Sequence, residues 1–443
     1  MQNPLELGTT TFGILVDGYD DTQYLPCTLS VSEFGKIEIE VSFPYIEPFN
    51  LSSSGEYLWV NRKPIPNRMS FLHSGGAVEL FGILFTGASN SFAAAKTDRI
   101  VCDVGFAIEG EVPQLVSEIP TFISFRQVFL APEAITPIAP HSLEFGTKDD
   151  PSSPLRTIAI PGTKDVWRWS SEDIDHAITL VHSTTHEPGR TEIKTRLEFQ
   201  SNSKEPRDFQ TLHSEQQKFV ALMQIVGNKQ IPLITPTGLL PNLEAPIYQN
   251  LRSGRLRTSL VRESAKRDEK PCISTANIDQ ESLVQWYEKY QTYFRAISAL
   301  SSLLPRIEID AEERMINSFI ALETIGHISF GHAFGGKGEN TDKYVQECLR
   351  ILDIQSVEFA SSIKGFSKAL ADNYNGIKHP RASTFPDVTS TFVFGLLAQG
   401  IARASLIKQT LGINVDWVNM SEVSLAHAIA RNEKMNIDDE GKF

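Results

Sequence analysis

Residues 279–304 read DQESLVQWYEKYQTYFRAISALSSLL, and the spacing of their apolar side chains decides how the second half of the chain folds. Leu283, Trp286, Tyr287, Tyr290, Phe294, Ile297 and Leu300 recur at intervals that place them on one stripe of an α-helix. The same period continues downstream. Glu312 to His327 carries Ile316, Phe319, Ile320 and Ile325 as its apolar residues, and Thr341 to Leu352 reads as a short third helix. Val357 to Asn373 reads as a fourth, with Ile363, Phe366, Leu370 and Ala371 inward. Val388 to Leu411 is a fifth; it begins after Pro386-Asp387 and stops at Gly412, a residue type that accepts left-handed backbone. Ser421 to Arg431 is a sixth, and the polar tail beyond it is expected to fray. The Gly-rich stretch Phe334 to Gly338 lacks a preceding strand and a GK[ST] ending, so it reads as a loop and not as a phosphate cradle.

Upstream the period is two. Lys36 to Val41 alternates polar and apolar residues, as does Thr191 to Phe199, where Ile193, Leu197 and Phe199 share one face. Ala77 to Phe85 and Arg99 to Ile108 are further apolar runs, and Gly, Pro, Ser and Asn punctuate them all. Ser214 to Gln217 has capping-box spacing, so a helix is expected from Ser214, with Phe219, Leu222, Met223 and Val226 on its stripe and Gly227-Asn228 at its end. Pro232, Pro236, Pro241 and Pro246 then exclude a long helix, and Leu251 to Lys270 is basic and weakly periodic. The expected fold is α+β: a β-rich, antiparallel sandwich-like domain over 1–229, an irregular connection over 230–278, and an all-α bundle over 279–435.

Composition narrows the function classes. With 41 Lys and Arg against 54 Asp and Glu, a net of -13, the chain cannot wrap nucleic acid over its whole surface; contact with RNA or DNA needs a local basic site. The four cysteines, Cys27, Cys102, Cys272 and Cys348, form no CxxC pair, which argues against a zinc ribbon or a disulfide scaffold. Met1 to Glu6 has neither the basic nor the apolar run of a secretory signal. Phe392 to Ile407 is apolar but interrupted by Gln399 and Arg403, short of a membrane span. A cytoplasmic protein without membrane contact is expected.

The string with most chemistry is Asn373-Tyr374-Asn375-Gly376-Ile377-Lys378-His379-Pro380, where an amphipathic helix gives way to a turn. Gly376 and Pro380 end helices, and a residue before proline is pushed out of helical dihedrals. Histidine is the side chain best suited to move protons near neutrality, lysine can hold a phosphate oxygen, and asparagine can donate or accept beside them. The same position also suits a plain helix cap, since His⁺ favours the C-terminal end of the macrodipole.

This string, at the end of the fourth helix of an all-α region, resembles the ribonuclease motif of the HEPN superfamily: arginine, a polar residue, a few variable residues, then histidine. Asn375 matches the polar position, His379 the histidine, and Lys378 a frequent companion; the arginine slot holds Tyr374, and Arg381 follows the histidine instead. The N-terminal half is similar to the ApeA N-terminal domain of bacterial abortive-infection proteins, through Leu29-Ser30-Val31 with Ile37 to Val41, Ala77 to Gly82, the Trp167 to Trp169 region and His213 to Pro232. The resemblance implies an antiviral defence protein acting as a metal-independent endoribonuclease without cofactor. Its target would be RNA, tRNA being one candidate, its trigger a phage protein, and its site would lie at an interface of a homo-oligomer, a dimer or higher, formed by the helical domain. His379, Asn375 and Lys378 would be catalytic, and Tyr374, Arg381 and Asn373 would bind substrate. The alternative is a catalytically degenerate sensor whose N-terminal domain recognises a phage component.

Two other clusters read more simply. His182 and His186 have helix-like metal spacing, with His176 near, but the β-branched run Val181 to Thr185 and Pro188-Gly189 point to a strand end or loop. Trp167 and Trp169, two apart, would share a strand face and belong to a core.

Overall fold

The structure is a computed structural model, and it describes residues 4–5, 8–16, 25–32, 36–44, 68–90, 97–109, 121–129, 142–144, 157–159, 164–187, 190–228, 231, 233–239, 248–253, 271–303, 309–331, 339–379 and 386–442. The fold is α+β, an antiparallel β region followed by a helical one. The strands are β1 (Thr9–Val16), β2 (Leu25–Val31), β3 (Ile37–Pro44), β4 (Arg68–His73), β5 (Gly76–Phe81), β6 (Leu84–Asn90), β7 (Thr97–Val104) and β8 (Phe106–Glu109). They continue with β9 (Thr121–Phe129), β10 (Ser142–Glu144), β11 (Thr157–Ala159), β12 (Lys164–Ser171), β13 (Ile174–Glu187), β14 (Arg190–Asp208), β15 (Leu233–Leu239) and β16 (Tyr248–Ser253).

β10 and β11 pair only with each other, and the remaining strands form one sheet in the order β12-β13-β14-β9-β15-β16-β8-β5-β4-β1-β2-β3-β7-β6. One residue turns part of this sheet into a nearly closed barrel. β7 pairs with β3 and β8 pairs with β5, yet only Gly105 separates them in sequence. Gly105 therefore joins the two ends of the run β5-β4-β1-β2-β3. Its N–H donates to the carbonyls of Phe81 at 2.9 Å and Gly82 at 3.1 Å, and a Cβ here would lie 3.2 Å from both oxygens. Only glycine fits that corner without displacing backbone. Leu29, Ile39, Phe71, Val78, Leu80 and Cys102 fill the interior.

The expected connection over 230–278 contributes β15 and β16 to the sheet. The prolines exclude a helix there but not a strand. β15 slips register against β9 between Ile234 and Thr237, at the position of Pro236, as a bulge that proline tolerates. Most of the basic run that follows, 254–270, lies outside the described residues.

Helix α1 (Phe209–Gly227) begins earlier than the Ser214 capping box suggests. Asp208 is the cap, its carboxylate accepting from the Thr211 N–H at 2.8 Å. Burial of Phe209 and Leu212 against the sheet favours the extra turn. Asn228, at φ 53°, ends the helix in the left-handed region.

The C-terminal region contains α2 (Gln280–Leu303), α3 (Ala311–Ser329), α4 (Thr341–Ile351), α5 (Ile363–Lys378), α6 (Val388–Leu411) and α7 (Ser421–Asn432). One apolar core runs from the inner faces of β12 to β14 through α1 into these helices. Trp167 and Trp169 belong to it: the Trp169 ring lies on Phe219 at 5.4 Å, and the Trp167 indole donates to the Ile278 carbonyl at 2.8 Å. Among the described residues α6 is the one helix long and apolar enough to cross a membrane, and the bundle buries it on all sides.

The C-terminal tail does not fray. Ile437 is fully buried, exchanging backbone hydrogen bonds with Phe359 at 2.9 Å and Ser361 at 2.8 Å. The tail then presses on α5 so closely that a Cβ on Gly365 would lie 2.0 Å from the Asp438 carbonyl oxygen. Gly365→Ala is therefore expected to destabilise the protein by about 1–3 kcal/mol through overpacking. A urea midpoint within error of wild type would refute this docking.

Candidate functional site

The candidate site is the C-terminal end of α5. The helix starts at Ser362, whose hydroxyl accepts from the Gly365 N–H at 3.1 Å, and runs through Gly376 to Lys378. Gly376 does not break it, because one interior glycine costs only about 1 kcal/mol. Pro380 does, by forcing the preceding residue out of helical dihedrals. His379 sits at φ −126°, ψ 64°, with its N–H still donating to the Asn375 carbonyl at 2.9 Å. Asn375, Lys378 and His379 are all exposed.

Two expected substrate contacts lie inside the bundle instead. Tyr374 is only 2% exposed and stacks on Phe319 of α3, ring centroids 4.5 Å apart and planes within 10°. A base cannot reach that ring, so Tyr374 packs and supports. Asn373 is also buried, donating to the Thr391 hydroxyl of α6 at 3.3 Å, which ties α5 to α6. Helical spacing explains both: Asn373, Tyr374 and Ile377 face inward, Asn375 and His379 project outward, and Lys378 lies at the exposed edge of the Tyr374 face. Arg381 lies outside the described residues.

Packing adds two charged groups that no local motif signals. The Lys378 ammonium lies 5.2 Å from the centre of the Tyr374 ring, one turn along α5. Glu323 lies one turn beyond Phe319 on α3, and its charge acts on Lys378. Arg295, exposed on α2, is near enough for its charge to act on both. Partial burial pushes the Glu323 carboxyl above the ordinary carboxylate range, against the pull of Lys378 and Arg295. The Tyr374 hydroxyl and then Glu323 hold the Lys378 ammonium above its usual value, against burial and Arg295. The result is an exposed imidazole next in the chain to an exposed ammonium, at the end of a helix. It can move a proton and hold an anion at adjacent points.

His176 of β13 serves packing. His176 is fully buried, its ring nitrogens 3.0 Å from the hydroxyls of Ser171 and Ser201. His182 and His186 lie on a strand, so their spacing of four stretches them apart instead of stacking them on a helix face. Among the described residues no group of three His, Cys, Asp or Glu is placed to hold a metal ion. A groove of about 450 Å³ lies between β12 and the start of α2, lined by Asp165, Trp167, Arg168, Ile278 and Asp279 among others. Its carboxylates are engaged: Asp165 accepts from Arg168 at 2.6 Å and Thr179 at 2.8 Å, and Asp279 accepts from the Ser282 N–H at 2.8 Å.

No known protein family matches the chain, and no curated protein or solved structure is significantly similar to it. A functional reading therefore rests on the residues and the geometry.

Proposed function

We propose that the end of α5 is the active site of a metal-independent endoribonuclease of the HEPN kind, acting in antiviral abortive infection. The exposure of His379 beside Lys378 at a proline-broken helix end carries this reading. A ribose 2′-hydroxyl attacks the adjacent phosphorus once a base takes its proton, and the departing 5′-oxygen needs a proton in return. An imidazole performs either step near neutrality. Lys378 stabilises charge gathering on the phosphate oxygens, and Asn375 donates to them from one turn earlier. A single ring cannot be base and acid in the same step. A two-fold dimer of the helical region would place a second His379 across the groove, because such an axis repeats one surface patch on itself. The trigger would be a phage component sensed by the β region, and tRNA is one candidate substrate.

Burial of Tyr374 favours a second reading, since the slot that holds a phosphate-gripping arginine in the motif is spent on packing. In that reading the helical region holds RNA or dimerises without cutting. The two separate on one experiment. Purified protein is expected to cleave RNA in EDTA, leaving 2′,3′-cyclic phosphate ends. His379→Ala, an exposed position, should lower the rate by about 10²–10⁴-fold, the usual range for a general acid or base, with the urea midpoint unchanged. A strict metal requirement, or cleavage untouched by the substitution, would sink the nuclease reading.

A further inference from the structure

We propose that the outer face of the β region where β1, β2 and β4 meet is a docking surface for a protein segment that is both apolar and basic. The proposal is independent of the chemistry at the end of α5. Side chains alternate along these strands, so Leu15, Leu29 and Phe71 fill the barrel while Phe12, Ile14, Pro26 and Leu72 point away from it. Phe12 is 80% exposed, Ile14 43% and Leu72 39%. The register makes them one surface: Ile14 stands opposite Leu72 of β4 on one side and Pro26 of β2 on the other, with Phe12 two residues along β1. Gly13 sets β4 against β1 in this arrangement. A Cβ there would lie 2.4 Å from the Leu72 carbonyl oxygen and 2.6 Å from the Phe71 ring, so the approach requires glycine. One exposed apolar side chain needs no explanation, but a contiguous group held on a paired sheet marks a contact surface.

Charge decides which partner fits. Across β2 the same face turns acidic: Thr10 stands opposite Ser30, Ser30 opposite Glu38, and Glu38 opposite Asp103. Glu38 and Asp103 share one ammonium, that of Lys36, at 2.6 and 3.0 Å, so this cluster keeps a negative charge. Neighbouring strands lie about 4.8 Å apart, which puts the charge about 10 Å from the β1 row. In a chain of net charge -13 it repels the phosphates of nucleic acid and of anionic lipid. It suits a segment that sets an apolar side chain on Phe12 and Ile14 and a lysine or arginine toward Glu38.

The test uses the full chain and, as probe, a short fluorescein-labelled amphipathic peptide of leucine and lysine. Its leucine–glutamate counterpart and an oligolysine serve as controls. The leucine–lysine peptide is expected to bind saturably, and both controls roughly tenfold more weakly or not at all. Phe12→Ser, an exposed position, should weaken binding about tenfold with the urea midpoint unchanged, and Leu72→Ser should act in the same direction. Glu38→Gln should weaken it about two- to fivefold, an effect that fades at high salt. Leu425→Ser, which removes an exposed leucine of α7, should change nothing. Binding that survives Phe12→Ser, equal binding of the leucine–glutamate peptide, or no binding at all overturns the proposal. So does self-association of the chain that Phe12→Ser abolishes, which makes a second copy the occupant, or retention on anionic vesicles lost in the same variant, which makes it a lipid surface. RNA cleavage and its response to His379→Ala are read separately, so either reading can fall while the other stands.

Discussion

Arg403→Met is expected to destabilise the folded chain by about 3–5 kcal/mol, the range for breaking a buried ion pair from one side. Arg403 sits in the middle of α6 and is 1% exposed. Its guanidinium pairs with the buried Glu422 carboxylate of α7. It also donates to the carbonyls that end α1: from Nε to Ile225 at 2.9 Å, and from Nη2 to Ile225 at 2.6 Å and Val226 at 3.4 Å. The last carbonyls of a helix lack partners within the helix, so burying this end requires donors from elsewhere. The Cys272 N–H supplies another, to the Val226 carbonyl at 2.9 Å. One side chain thus joins the β-region helix to two helices of the bundle. Substituting it strands the Glu422 carboxylate and the Ile225 carbonyl together, while Val226 keeps the Cys272 N–H. Adding Glu422→Met removes the stranded carboxylate, and the double variant should recover a large part of the loss, because an apolar pair can replace a buried ion pair nearly neutrally. What stays lost is the desolvation of the Ile225 carbonyl, about 1–3 kcal/mol. Urea midpoints of the three variants measure this. A single variant within 1 kcal/mol of wild type would show that water or a shifted backbone replaces the guanidinium.

Much of this architecture is legible in the sequence, and the exceptions share a cause. The stripe from Leu283 to Leu300 is a helix with Leu283, Trp286, Ile297 and Leu300 buried, because a 3.6-residue period leaves few other ways to hide those side chains. Gly412 ends α6 at φ 72°, as glycine at that place should. The failures arise where a distant contact outweighs a local signal. Phe209 and Leu212 find the sheet and pull the start of α1 back to Asp208. Ile437 finds Phe359 and Ser361, and a polar tail docks. Pro236 is absorbed at a bulge, and a proline-rich connection becomes strand.

The site divides along the same line. His379 at a proline-broken helix end is a local feature, and the sequence locates it. Which of its neighbours face outward depends on the seam between α3 and α5, so the motif alone cannot tell buried Tyr374 from exposed Asn375. Arg295 and Glu323 have no motif at all.

Acidification between about pH 6 and pH 4 should unfold the β region well before carboxylate protonation explains it. His176 is fully buried, and burial first, then the nearby Lys218 ammonium, lowers its pKa to about 3. Burial lowers His213 to about 4. In the unfolded chain both titrate near the ordinary histidine value of 6.5. Below that pH the unfolded state binds protons that the folded state refuses, so stability is complete above about pH 6.5 and is lost as pH falls toward the folded values. Each group contributes a slope approaching ~1.4 kcal/mol per pH unit, so the pair approaches ~2.7, which is severe against a typical total stability of about 5–15 kcal/mol. The surroundings show why charging is resisted. The His176 ring already meets two hydroxyls, and it packs against Trp169 at 5.0 Å and Tyr287 at 5.1 Å, so burial outweighs the pull of the neighbouring Asp175 carboxylate. Gln216 of α1 bonds to the same Ser201 hydroxyl at 3.1 Å, so a protonated ring would disturb the join between sheet and helix. His176→Gln should flatten the dependence of the urea-derived stability on pH by about one proton across this window, and His213→Gln by another. Should His176→Gln fail to fold, the wild-type ring resonances decide: this imidazole must remain neutral at pH 4.5 while exposed histidines are charged. A ring that titrates near 6.5 in the folded protein would refute the burial argument.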